Sequence, residues 1–315
     1  MSTIMPSIKG IRQPARRVKF SITPYLFILP HLVFFIIFVG YPLFNGLYIS
    51  FLNFDYLRPE RTAFVGLQNY INLFTPDTVQ FKEFWNALGN TVEFVIISVP
   101  PLVLIPLGLA VLLNTKIPGV NAYRAIYFAP WVLSVSVVAL LWWWIFQSQG
   151  GLLNYYLVDL GLKAPRWLST MPWAWVSILV ATVWWTMGFN MIIFLAALQD
   201  IPAEIYEAAA IDGANSGQAF RAITVPLLRP VLIFIVITTI IASFNLMGQP
   251  FFMTNGGPAQ PGGGGATEPV MLRIYIEGFV RPFQGSASAM SFVVAMIMML
   301  VSLINFRVLR SGDNR

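Results

Sequence analysis

Six stretches of this chain are apolar enough and long enough to cross a lipid bilayer, and that property limits the fold to a bundle of membrane helices. A hydrocarbon core of about 30 Å needs roughly 20 apolar residues at about 1.5 Å per residue, with every backbone N–H and C=O satisfied inside the segment. The stretches are 25–51, 88–114, 123–147, 174–198, 231–247 and 288–309. The first follows Arg16, Arg17 and Lys19 as a signal peptide would. Its apolar run is too long and lacks a small-residue cleavage site, so it reads as an uncleaved span. The expected architecture is all-α: a tail over 1–24, a six-helix membrane domain over 25–309, and a second tail over 310–315.

Composition narrows the chemistry. With 57% hydrophobic and 10% charged residues, the solvent for most of the chain is lipid. There is no cysteine, so thiolate nucleophiles and cysteine metal sites are excluded, and the single histidine, His31, rules out a two-imidazole site. No metal site and no catalytic constellation is expected: His31 and Glu93 fall in different spans. A secondary carrier would show paired intramembrane acids or a repeated half, and neither is visible. No G-x-x-x-x-G-K-[ST] loop and no G-x-G-x-x-G occurs, so nucleotide chemistry must come from a partner. The net charge of +6 points to orientation in the membrane, with no nucleic-acid partner. With 1–24 inside, 12 of the 19 Lys and Arg lie on inner segments and 7 on outer ones, which places both termini in the cytoplasm.

Proline and glycine interrupt the spans: Pro100, Pro101 and Pro106 in the second, Pro130 in the third, Gly188 in the fourth. Such residues kink helices, although they are also commoner in membrane helices generally. Outside, 53–87 is long and turn-rich, and 249–287 contains Asn255-Gly256-Gly257-Pro258 and the glycines at 262–265, which read as a flexible surface turn.

Between the fourth and fifth spans, 199–229 is too polar to cross and too apolar to be disordered. Asp200 can cap and Pro202 can start a helix, Glu204 and Glu207 suit its positive N-terminal end, and Gly213 stops it. A second short helix fits 217–225, capped by Ser216 and ended before Pro226. Alanines leave one face open to close approach by another protein, and a helix resting on the membrane fits as well.

Sugars bind by stacking apolar ring faces on aromatics while hydroxyls meet hydrogen-bonding side chains. Thr182, Trp185, Thr186 and Phe189 share one face of the fourth span at i, i+3, i+4 and i+7. Thr239, Ser243 and Leu246 share one in the fifth, and Trp131 follows the kinking Pro130. The same residues also suit ordinary helix packing. No Lys or Arg stands at membrane depth in the third to fifth spans, which favours a neutral sugar over a sugar phosphate. Glu93, early in the second span, pairs across the bundle or faces water.

Glu207-Ala208-Ala209, Asp212-Gly213-Ala214, then Phe220, Ile223, Pro226, Leu227 and Pro230, resemble the EAA loop of membrane subunits of bacterial binding-protein-dependent ABC importers. The resemblance to the carbohydrate branch extends over nearly the whole chain. It takes in Phe64-Val65-Gly66-Leu67-Gln68-Asn69-Tyr70, Asn90-Thr91, Tyr123-Arg124-Ala125-Ile126, Ala197-Leu198-Gln199, Thr254-Asn255-Gly256-Gly257-Pro258 and Ile274-Tyr275 with Phe279. The related large maltose permease subunit is longer, so this chain is similar to the shorter six-span form.

The resemblance implies a type I importer permease in the bacterial cytoplasmic (inner) membrane, carrying a sugar. A second homologous permease completes the pore. Two ATP-binding subunits hold ATP and magnesium, this chain binding no cofactor, and an external solute-binding protein delivers the substrate. The coupling residues would be Glu204, Glu207, Ala208, Ala209, Asp212 and Gly213, inserted into the ATPase. Sugar-contacting positions of the maltose permease would fall at Trp131, Val135, Thr182, Trp185, Thr186, Phe189, Thr239, Ser243 and Leu246. Several differ in type, so the substrate need not be maltose; another solute such as glycerol 3-phosphate is the alternative.

Overall fold

The computed structural model describes residues 22–115, 118–260 and 263–312. The whole basic cluster before the first span, Lys116, Gly262 and Arg315 lie outside the described residues. The chain divides at Gly46 into two compact units. The first holds α1 (Thr23–Phe35), a π-turn (Ile36–Gly40) and the start of α2 (Tyr41–Ile49). Together these make one continuous apolar helix, Tyr25–Ile49.

The second unit begins with a two-stranded antiparallel ribbon, β1 (Leu52–Asn53) and β2 (Ala63–Phe64), and the short helix α3 (Gln68–Phe74). Then comes α4 (Val79–Leu113), which starts well before residue 88 because the Thr78 hydroxyl accepts from Phe81 N–H at 3.1 Å and caps it. The end of the expected outer loop is therefore helix. Pro100, Pro101 and Pro106 do not break α4: proline φ is helical, and each ring removes one hydrogen bond from a stretch of helix packed against α8 (Trp173–Gln199).

The third span is broken, as Pro130 led one to expect. α5 (Val120–Phe128) runs into a 3-10 turn (Ala129–Val132), Leu133 is extended, and Ser134 caps α6 (Val135–Phe146) through Val137 N–H. The two arms meet at 99°. With this pair counted as one span, the described residues hold six; five are unbroken helices.

Gly188 has a different role from the expected kink. α8 passes through it unbroken, and a Cβ there would overlap the backbone of Tyr127 and Phe128. The missing side chain lets the broken span touch α8 backbone to backbone.

After α7 (Leu152–Asp159) and α8 come α9 (Ala203–Ile211), α10 (Ser216–Ala219), a π-turn (Phe220–Thr224) and α11 (Val225–Phe244). Two cap assignments are corrected. Asp200 ends α8 and Pro202 occupies the N-cap of α9 without a side-chain bond; Asn215, not Ser216, caps α10 in a reciprocal box with Gln218. Nor does the helix end before Pro226. Ser216–Phe244 is one helix, because Pro226 falls in the first turn after the π-turn, whose widened bonding absorbs a missing N–H.

The last elements are α12 (Gly248–Met253), α13 (Val270–Tyr275), a π-turn (Ile276–Val280) and α14 (Gln284–Gly312). The glycine run turns inward from an exposed Gly263, so only its start is a surface turn among the described residues. Gly265 is buried, and a Cβ on it would strike the carbonyl of Gly256. Asn90 Nδ2 donates to Gly265 O at 2.8 Å and Glu268 O at 3.0 Å, and Val270 N–H donates to Thr91 at 2.9 Å, fastening this loop to α4. Three apolar clusters form the core. One, with Met191, Phe194, Leu228 and Ile235, binds α4, α8 and α11 together; the others centre on Phe84 with Met290 and on Phe94 with Ile178.

Candidate functional site

The nine residues singled out as a substrate path come from three separate stretches of the chain, and all nine line one cavity of about 510 Å³. α8 supplies Thr182, Trp185, Thr186 and Phe189, α11 supplies Thr239 and Ser243, Leu246 follows α11, and the broken third span supplies Trp131 and Val135. The break is what brings Trp131 in. Its ring stacks on Phe189 at 4.7 Å between centroids and lies 5.5 Å from Trp185, making an aromatic wall. Trp185 Nε1 donates to Leu133 O at 3.1 Å, so the extended residue after the 3-10 turn holds the indole in place.

The polar groups are mostly committed. Thr182 and Thr186 donate to the carbonyls one turn back, Ile178 O and Thr182 O, at 2.7 and 2.8 Å, leaving their lone pairs as acceptors. Ser243 Oγ pairs with Ser98 Oγ at 3.1 Å, and Asn190 Nδ2 donates to Leu102 O at 3.0 Å. No charged residue lines the cavity among those described. Such a site can stack an apolar ring face and take hydroxyl protons; it offers an anion no countercharge.

Sequence reasoning missed Phe94, Asn190 and Gln249 on the cavity wall. Asn190 directly follows Phe189 and was legible; Gln249 was not, because α11 ends at Phe244 and helical periodicity gives no guide beyond it.

At the other candidate site, α9 has no buried residue. Glu204, Glu207, Ala208 and Asp212 are exposed, Ala209 is half-buried, and Ile211 is 87% exposed. Gly213, at φ +82°, ends α9: its N–H donates to Ala210 O at 3.1 Å and Ala214 N–H to Ala209 O at 2.9 Å. Inward, the Tyr206 and Thr224 hydroxyls meet at 2.9 Å, tying α9 to the π-turn below α11. The helix that carries Thr239 and Ser243 is thus joined at its foot to α9.

A buried ionic cluster was not foreseen, its members having been counted as loop charges. Arg281 grips Glu83 with both terminal nitrogens, at 2.7 and 2.9 Å. Arg273, 2% exposed, meets Glu83 at 3.1 Å, Glu268 at 3.5 Å and Glu277 at 2.5 Å. Burial raises the Glu268 carboxyl pKa against the pull of Arg273, and the Glu83 hydrogen bond raises that of Arg281. Arg273 and Glu277, four apart, were the legible signal; the partnership with Glu83 across the chain was not. Glu93 lies on an exposed face of α4 and forms no ion pair with a described residue.

The chain is similar to known proteins over most of its length. It is 35% identical to the probable ABC transporter permease protein YurN of Bacillus subtilis (strain 168), over 93% of this chain and 97% of that one. It is 33% identical to the trehalose/maltose transport system permease protein MalF of Thermococcus litoralis, over 90% and 92%. A crystal structure of a bacterial ABC transporter involved in the import of the acidic polysaccharide alginate shares the fold, with a TM-score of 0.75 at 22% identity over 92% of this chain and 95% of that one. Residues 78–312 match the model of the binding-protein-dependent transport system inner membrane components. With that match covering most of the chain, and relatives more than 30% identical along nearly all of it, this protein belongs to the family of binding-protein-dependent transport system inner membrane components.

Proposed function

We propose that this chain forms half of the membrane path of an ATP-driven importer for a neutral mono- or oligosaccharide. The observation that carries the reading is the uncharged cavity walled by Trp131, Trp185 and Phe189 and dotted with hydroxyls. A glycerol 3-phosphate path would want a cation, and no described residue supplies one there. The trehalose/maltose assignment of the Thermococcus relative supports the sugar class.

The remaining parts follow from this reading. A second permease faces this one, two ATP-binding subunits supply ATP and magnesium, and an external binding protein delivers the sugar. The exposed Glu204, Glu207, Ala208, Asp212 and Gly213, with the half-buried Ala209, dock α9 into an ATPase subunit, with both termini of this chain in the cytoplasm. A rigid helix transmits displacement where a loop would absorb it, and Tyr206 with Thr224 passes it to α11.

The test measures uptake of labelled neutral sugars and complex yield together, in proteoliposomes holding the whole importer. Trp185→Ala removes a stacking surface, and Thr186→Val removes a hydroxyl while nearly keeping shape. Uptake falls about tenfold for Trp185→Ala with the complex intact, a loss equal to about 1.4 kcal/mol. Unchanged uptake in both variants, or a loss that only tracks lost complex, returns this face to helix packing.

A further inference from the structure

Gln249 is the polar residue of the cavity wall whose chemistry is unspent. It is 3% exposed, it lines the cavity, and its carboxamide makes no hydrogen bond with any described residue. Its neighbours on the wall differ: Trp185 donates to Leu133 O, Asn190 to Leu102 O, and Asn245 to Ile241 O. The Thr239 hydroxyl, on a residue 6% exposed, likewise makes no hydrogen bond with a described residue. The Gln249 amide atoms are not sealed inside the protein: they keep surface on the cavity, where they bond to whatever fills it.

The backbone under Gln249 is built to hold it. A Cβ on Gly248 would come within 2.5 Å of Val135 Cγ2, so only glycine lets α12 start this close to α6. At the other end Thr254 Oγ1 donates to Pro250 O at 3.0 Å. The amide is therefore presented from a short, fixed element, and its burial is not the accident of a long side chain folding over.

We propose that Gln249 is a specificity-determining residue of the transport path, its carbonyl accepting from one solute hydroxyl while its NH2 donates to the neighbouring one. The proposal rests on the reading of this cavity as the solute path. A planar amide offers a donor and an acceptor side by side, and adjacent sugar hydroxyls offer the same pair in return. A carboxylate or phosphate offers acceptors alone and would leave the amide oxygen unpaired in a cavity with no lining cation. The solute class is a neutral polyol ring with adjacent free hydroxyls, and Thr239 supplies a third polar contact.

The experiment uses the complete importer in proteoliposomes, with glucose, maltose, trehalose and lactose as probes and monodeoxy analogues of whichever enters best. Gln249→Leu raises KM for that sugar about tenfold, the loss of one to two neutral hydrogen bonds. In wild type, removing the hydroxyl that Gln249 reads carries a similar penalty; in Gln249→Leu that penalty vanishes, which a merely structural glutamine would not produce. Gln249→Asn, shorter but chemically alike, keeps the deoxy penalty and serves if the leucine variant assembles poorly. KM within about twofold of wild type and an undiminished deoxy penalty in Gln249→Leu overturn the proposal. If Trp185→Ala still lowers uptake in that case, the cavity remains the path; if neither variant changes uptake, the path reading fails with it. Failure of all four sugars to enter through the wild-type importer overturns the assigned solute class.

Discussion

Replacing Arg273 by Leu removes the guanidinium at the centre of the buried cluster, and the cost can be worked from its neighbours. Three carboxylates, Glu83, Glu268 and Glu277, surround two guanidiniums, a formal charge of −1 that becomes −2 when Arg273 is lost. Glu268 then has no ion-pair partner and feels only Arg281 at longer range, Glu277 keeps only Arg281 at 3.7 Å, and Glu83 keeps its two bonds to Arg281. Breaking a buried pair from one side costs about 3–5 kcal/mol, which at roughly 2–4 °C per kcal/mol lowers the unfolding midpoint by on the order of 10 °C. Arg281 provides the internal control. Its side chain is 42% exposed, so solvent screens its pairs, and Arg281→Leu costs about 1 kcal/mol. The assay is thermal unfolding of the purified importer in detergent, followed by monodisperse peak height after heating. A midpoint for Arg273→Leu within about 2 °C of wild type, or a larger loss in Arg281→Leu, refutes the ranking of burial over contact distance.

Three further outcomes follow. The raised Glu268 pKa means the folded state favours its protonated form; that contribution is full below the ordinary value of 4.5 and fades as pH rises through the raised one. Glu268→Gln should therefore be more stable than wild type at neutral pH and equal to it below about 4.5, and the reverse order in a pH series of melts contradicts this. Glu207→Lys reverses a charge on the exposed face of α9 and should leave the chain inserted while abolishing solute-stimulated ATP hydrolysis; normal stimulation in proteoliposomes would reject the docking role. Cysteines at Thr115 and Ala259, both exposed, should be labelled by an impermeant maleimide from the cytoplasm and from outside respectively, and the opposite pattern would invert the topology.

The spans and most of the cavity residues were legible because both depend on local rules, whereas Val135 came only from the resemblance to the maltose permease. Span length follows from bilayer thickness, and the i, i+3, i+4, i+7 rule groups Thr182 with Phe189 on one face of α8 whatever the tertiary fold. What escaped depended on contacts distant in sequence. Gly188 carries no sign that Tyr127 will pass against it. Glu83 and Arg281 read as solvated loop charges until the fold brings them together. The persistence of helix through Pro226 was illegible for a related reason: a proline's missing N–H is costly only if the preceding turn cannot adapt, and the π-turn Phe220–Thr224 adapts.

The central claim is that this chain moves a neutral sugar across the inner membrane only as part of a machine driven by ATP and fed by an external binding protein. Proteoliposomes containing this permease, its partner permease and the two ATPase subunits test it directly, with labelled maltose, trehalose and lactose offered outside. The account predicts saturable uptake when ATP is enclosed and the binding protein is present outside, and none when either is withheld. Uptake that proceeds without ATP and follows an imposed sodium or proton gradient would contradict it.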